Sequence, residues 1–308
     1  MQNVQKPGTE YPADKGTGEK NKPVSQGWGL LLVIIATLCL STEAVAAKIA
    51  YRGGATVMTA LVVRYAIAAF IFWAVTLLWR MPWRLGARRF WQVVLVAVAG
   101  QATTVLCLFY AFQYIPAGMA ILFLYFYPTF VTILAYFFLN EALTSRKVLA
   151  LVLTLTGAAV ILGQPVHGLD LRGVGLSVLA AVFNAGFFVA GARLLKDMSV
   201  WVFDTYIVSI VGVIFMAMGL AGGTLHFGFD VRTWWALIFL GVMTTVIALA
   251  AMFKGIELLG ASRASIISTM EPAFTALLGY WLLSEVLTGA QIVGGALILV
   301  GVLLQVRE

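Results

Sequence analysis

Two carboxylates stand in apolar surroundings, Glu43 in "STEAV" and Glu271 in "TMEPAF". A carboxylate in mid-membrane costs about 2.5 to 3.5 kcal/mol on insertion scales, so each must face a partner, water or a cavity, where it can hold a proton or a cation. Depth offers Glu43 a partner: Glu43 and Arg64 fall at similar depths in consecutive apolar segments, ~10 to 12 Å below the same face at a helical rise of ~1.5 Å per residue. Consecutive helices are usually neighbours. A structural Glu43–Arg64 ion pair is therefore one expectation, and a proton- or substrate-binding Glu43 is the other. Glu271 precedes Pro272, and Pro128 stands at the matching place in an earlier segment. Each proline removes a backbone donor, kinks its helix and frees a carbonyl. Tyr110, Tyr125, Asn184, Gln101 and Lys254 complete the candidate lining of a solute cavity, although buried amides also serve as glue between helices. Glu141 and Glu285 each end a segment before a Leu-Thr turn, where a carboxylate can cap the free amides of the next helix. Asp204 reads as a charge at a helix amino end.

Other chemistries lack their residues. Neither GxxxxGK[ST] nor HExxH occurs, and the two histidines, His167 and His226, are far apart in outer-side loops. Cys39 and Cys107 sit in apolar segments without a neighbouring histidine. The expectation is a non-enzyme with no metal, no cofactor and no ATPase, driven by a gradient or another subunit.

The elements that must position these residues are membrane helices. The 308-residue chain is 62% hydrophobic and 11% charged, with a mean hydropathy of +0.98, too apolar to wrap a soluble globule. From Phe90 to Asn140 there is no Asp, Glu, Lys or Arg, a run that fits two spans of about 20 residues each. The same rules give ten spans, near 28–51, 57–79, 91–113, 117–139, 146–163, 172–193, 201–221, 233–254, 263–283 and 288–306. Residues 1–27 are polar and read as a disordered cytoplasmic tail. Most Lys and Arg fall on the side of the amino terminus, against only Arg52, Arg172 and Arg232 on the other. That bias predicts both termini inside, so the net charge of +7 is a topology signal rather than a nucleic-acid footprint. Trp79, Trp83, Trp91, Trp201, Trp234 and Trp235 suit interface anchors, and Lys48 snorkels.

The chain also repeats itself. "PTFVTILAYFFLNEALT" from Pro128 and "PAFTALLGYWLLSEVLT" from Pro272 align without a gap, sharing Pro, Phe, Leu, Tyr, Leu, Glu, Leu and Thr. Ala117, Ala120, Leu153 and Gly157 match Ala261, Ala264, Leu297 and Gly301 at the same offset. Five spans separate the copies, and an odd number of crossings turns the second upside down. The prediction is an all-α membrane protein of two inverted five-helix repeats, 28–163 and 172–306, able to exchange conformations as alternating access requires.

The stretches "NEALTSRKVLALVLTLTGAAVILG" and "GASRASIISTMEPAFTALLGYWLLSEVLTGAQIVGGALILVGVLL", with "AAKIAYRGG" and "VVRYAIAAF", resemble the paired signatures of the drug/metabolite transporter superfamily, EamA type. The resemblance covers Trp28 to Val306. It implies ten helices and the export or exchange of small organic solutes such as amino acids, metabolites or drugs. It also implies that the Glu271-Pro272 pair belongs partly to shared architecture, whereas Glu43 departs from the small or hydroxyl residue of many relatives. The expected function is export of a small zwitterionic or amphipathic metabolite across the inner membrane, coupled to a proton or a counter-solute. A multidrug exporter of cationic compounds is the alternative, and a channel or receptor a remoter one. Monomer and homodimer both stay open.

Overall fold

The computed structural model describes residues 23–162, 170–283 and 288–306. Among them every regular element is helical: α1 (Pro23–Ser41), α2 (Glu43–Arg52), α3 (Val57–Leu78), α4 (Ala87–Leu95), a π-helical segment (Val96–Ala102), α5 (Thr103–Ala111), α6 (Ala117–Leu124), α7 (Tyr127–Leu139) and α8 (Ser145–Leu162) form the first half. The second half holds α9 (Leu171–Leu194), α10 (Val200–Ala221), α11 (Val231–Phe239), a second π-helical segment (Leu240–Ile247), α12 (Ala248–Leu259), α13 (Ala261–Ser268), α14 (Glu271–Leu283) and α15 (Gly289–Val306). Among the described residues eight helical stretches are long and apolar enough to cross a membrane, and Gly289–Gln305 is a shorter apolar helix. The first helix starts at Pro23, so the residues just before Trp28 are helical and not tail. Glu285 and His167 lie outside the described residues.

The repeat is visible in the backbone. Element starts recur 144 positions apart: 87 and 231, 96 and 240, 117 and 261, 127 and 271, 145 and 289. Packing partners interchange in the same way. α1 lies along α12 as α9 lies along α5, and α3 meets the second π segment as α10 meets the first, while α3 with α10 and α8 with α15 pair across the halves. A two-fold relation between the halves produces this pattern. The α8–α15 pair is close because Gly157 and Gly294 face each other: a Cβ on Gly157 would sit 2.5 Å from the Gly294 carbonyl oxygen. Small residues let membrane helices approach without a hydrophobic drive from water.

Local chemistry sets the helix ends. Asp170 accepts from the Arg172 amide at 2.9 Å and Asp230 from the Thr233 amide at 2.8 Å, capping α9 and α11. The backbone amide of Arg172 holds the Asp170 carboxyl below the usual carboxylate range, and the bonds from Thr233 do the same for Asp230. Trp79, Trp91 and Trp235 are exposed at segment ends, whereas Trp201 packs edge-on against Trp79 and tilts against Phe72.

Candidate functional site

Among the described residues five helices are interrupted, and the interruptions meet. α1 stops at Ser41, where the hydroxyls of Ser41 and Thr42 donate to the carbonyls of Leu38 and Cys39 at 2.7 and 2.6 Å. Such back-bonds compete with the helix ladder. Glu43 then becomes the first residue of α2, so its carboxylate sits at a helix amino end, a favourable place for negative charge. Pro128 and Pro272 each occupy the second position of a fresh helix, after the turns at Tyr125–Phe126 and Thr269–Met270. There a missing N–H costs nothing, so these prolines start half-helices instead of bending continuous ones. The two π segments supply the remaining interruptions. Thr244 and Thr245 both donate to the Leu240 carbonyl, and Thr103 to that of Val98, which satisfies acceptors left by the wider turns.

The side chains at these points form one polar cluster. Arg64 on α3 donates from Nη1 to Glu43 Oε1 at 2.6 Å and from Nη2 to Glu43 Oε2 at 3.4 Å. Its Nε donates to Thr245 Oγ1 at 3.0 Å. The next residue, Tyr65, accepts from Gln101 Nε2 at 2.8 Å. Gln101 and Thr245 are 144 positions apart, so equivalent places in the two π segments grip consecutive residues of α3. Gly241 permits this approach, since a Cβ there would come within 2.8 Å of Ile67. The Tyr127 hydroxyl bonds the Ser268 hydroxyl. Tyr125 stacks obliquely on Tyr127, with ring centroids 6.4 Å apart, and its phenol interacts with the Glu271 carboxylate. Thr275, one turn into α14, reaches the Ser41 carbonyl at 3.4 Å and ties that helix to the break in α1.

Charge is unevenly distributed in the cluster. All three donor nitrogens of Arg64 are engaged by Glu43 and Thr245. Glu271 has no ion pair among the described residues, and the charged group within electrostatic reach is Glu43, another carboxylate. With Glu43 and Arg64 cancelling, the cluster holds one carboxylate without a cation. Glu43 is 38% exposed against 13% for Arg64, so the carboxylate borders accessible space while the guanidinium is packed.

The family model for EamA-like transporters matches residues 27–163 and again residues 171–307. The chain belongs to the EamA-like transporter family. An "Uncharacterized transporter" of Archaeoglobus fulgidus is 29% identical over 63% of this chain and 70% of its own length. "Uncharacterized transporter YcbK" of Bacillus subtilis is 24% identical over 90% of this chain and 92% of its own. One solved crystal structure of a protein superposes with a TM-score of 0.80 at 20% identity, covering 90% of this chain and 95% of that one, which shows the shared fold. The relatives are named as transporters, and this chain is a multi-pass membrane transporter by family.

In this EamA-like transporter the candidate residues divide. Glu43, Arg64, Gln101, Tyr125 and Glu271 come together in the cluster. Asn184 is half-buried on α9, one turn before Phe188, which packs on Tyr127. Tyr110 does not join: it is 52% exposed on the outer side of α5. Lys254 is exposed as well, bound to Glu257 one turn on at 2.9 Å. Asp204 is not a terminal charge, since it is the fifth residue of α10, fully buried, with neither carboxylate oxygen partnered among the described residues. Glu141 does not cap the helix that follows it. Thr144 serves α8, accepting from the Lys147 amide at 3.2 Å, while Glu141 caps α13 from 120 residues away. Tyr127, Ser268 and Thr245 were not among the candidates. Tyr127 is the repeat counterpart of Glu271, and Thr245 that of Gln101, so the 144-residue offset was the signal that could have found these two; Ser268 corresponds to Leu124 and left no such signal.

Proposed function

We propose that this protein is a secondary transporter that exports a small organic solute by alternating access around the cluster at Glu43, Arg64, Gln101, Tyr125, Tyr127, Thr245 and Glu271. The observation that carries this reading is the convergence of five helix interruptions, drawn from both repeats, on one polar centre. Broken helices at membrane depth are tolerated where they line a cavity, and such breaks mark solute sites at repeat interfaces. The account takes ten spans, both termini on the cytoplasmic side of the inner membrane, and two repeats inverted about an axis in the membrane plane. A site on that axis stays fixed while the halves rock around it.

The chemistry favours a solute bearing an amino group. Glu271 offers a carboxylate with no resident cation, and the rings of Tyr125 and Tyr127 lie beside it. The amine of an amino acid or a related metabolite would meet that carboxylate. When no solute is bound, a proton on Glu271 meets the same charge requirement. A second reading, export of organic cations, draws on one feature: Arg64 is already occupied, so no free guanidinium awaits an anion.

A thermal-shift screen of the purified protein over amino acids, nucleosides, sugars, amines and lipophilic cations separates these readings. Stabilisation by amine-bearing metabolites, by RT ln(1 + [L]/Kd) or about 2.7 kcal/mol at a hundredfold excess over Kd, is the expected result. Stabilisation by lipophilic cations alone would replace it with the multidrug reading, and stabilisation only by neutral sugars would contradict both.

A further inference from the structure

We propose that the seam between α7 and α13 is a gate closing one face of the pathway, and that Glu141 is its latch. The inference rests on the transporter reading above and adds the device that regulates access to the same site. Three polar contacts run down the seam. At the site end the Tyr127 hydroxyl bonds Ser268, and midway Thr132 Oγ1 lies 3.1 Å from Ser262 Oγ. At the far end Glu141 closes the seam. Its Oε1 accepts from the Ala261 amide at 2.8 Å, its Oε2 from the Ser262 amide at 3.3 Å, and Lys147 Nζ stands 3.5 Å away.

The backbone is shaped for this contact. Asn140, left-handed at φ 56°, turns the chain out of α7 so that Glu141 points at α13. Gly260, at φ +89°, starts α13 in a conformation that side chains rarely adopt, and a Cβ there would lie 2.8 Å from Glu141 Oε1. A carboxylate on the free amides of a helix start is a charge-assisted contact that also meets the positive end of the helix dipole. Because α13 has eight residues, holding its amino end at Glu141 also fixes its other end, where Ser268 meets Tyr127.

The counterpart seam is different. Advancing α7 by 144 positions gives α14, and moving α13 back gives α6, but among the described residues α6 and α14 share no contact as broad as that of α7 with α13. On α7 the residues Tyr127, Pro128, Val131 and Thr132 are all buried, whereas of their counterparts Glu271, Pro272, Thr275 and Ala276 only Pro272 is. Thr132 and Ser268 correspond to Ala276 and Leu124, which carry no hydroxyl. One seam is closed along its length by polar contacts, whereas its mate is joined at the site end, where Tyr125 meets Glu271, which is the asymmetry an alternating-access protein shows when one face is shut. Under the proposed topology the shut face is cytoplasmic. There the latch borders a surface pocket of about 420 Å3 lined by Glu141, Thr144, Lys147 and Gly260.

The test follows labelling of Ser265→Cys, buried on α13 between Ser262 and Ser268, in a background lacking Cys39 and Cys107. A membrane-impermeant maleimide is applied separately to the two faces of oriented vesicles. Glu141→Ala is expected to raise the labelling rate from the face bearing Glu141 by about tenfold, the effect of losing charge-assisted hydrogen bonds to the closed state. Glu141→Gln, which keeps one acceptor oxygen, should give a smaller rise, and it decides the matter if Glu141→Ala does not fold. Glu257→Gln, beside the same pocket and bonded to Lys254, should leave the rate unchanged. An unchanged rate in folded Glu141 variants, or an equal rise with Glu257→Gln, would overturn the latch. Failure of the transporter reading would show separately, as a labelling rate in the otherwise unaltered protein that no stabilising compound from the thermal screen changes.

Discussion

Glu271→Gln is expected to reduce solute counterflow in proteoliposomes by about thirty- to a hundred-and-fifty-fold, the worth of one charge-assisted contact of ~2 to 3 kcal/mol, with the protein still folded. The amide keeps the shape of the side chain and an acceptor for the Tyr125 phenol. It removes the carboxylate that stands without a cation in a cluster whose other charges cancel. Stability should change by less than about 1 kcal/mol, because no ion pair is broken at Glu271 and substitutions away from such features cost little. Tyr125→Phe should act more weakly, within about tenfold, since it removes one neutral hydrogen-bonding group and leaves the charge. Counterflow at the unaltered rate in Glu271→Gln would mean that the solute passes elsewhere.

Glu43→Gln should destabilise the protein by roughly 1.5 to 3 kcal/mol, because it leaves the packed Arg64 guanidinium without its carboxylate. The lower part of that range is expected, as Glu43 is 38% exposed and water can replace part of the contact. Arg64→Gln alone should cost a similar amount by stranding Glu43 and releasing Thr245. The double variant should recover most of the loss, giving a coupling energy above about 1 kcal/mol in a thermal or chemical denaturation cycle. Additive losses would show that the pair contributes nothing as a pair. If Glu43 instead carried protons for transport, Glu43→Gln would melt normally and lose only the pH dependence of counterflow.

The features of this fold that depend on composition and spacing were open to inspection in the sequence. Length, hydropathy and the Pro128/Pro272 echo placed helices and the repeat, since both follow from what a bilayer accepts and from one constant offset. The Glu43–Arg64 contact followed from depth, because rise per residue converts position into height. Rotation about the helix axis is what depth leaves undetermined. Tyr110 and Lys254 have suitable heights but point away from the cluster, toward the exterior and toward Glu257. The π segments carry no composition that separates them from ordinary helix; their only trace is that Gln101 and Thr245 hold equivalent places. Glu141 looked local because its turn is local, yet its partners at Ala261 and Ser262 belong to the other half of the chain. A carboxylate at a helix end shows what it can accept, not which amides the tertiary fold will bring.

The central claim is that the converging helix breaks form the solute site, and substrate protection of thiol labelling tests it most directly. Tyr125→Cys, Gln101→Cys and Glu271→Cys would be made singly in a background without Cys39 and Cys107, both buried and free, beside Tyr110→Cys and Lys254→Cys. The account predicts that a water-soluble maleimide labels the first three and that a stabilising solute slows each reaction by about tenfold at saturating concentration, as occupancy excludes reagent, while positions 110 and 254 ignore the solute. Protection at 110 or 254 with indifference at 101, 125 and 271 would contradict it.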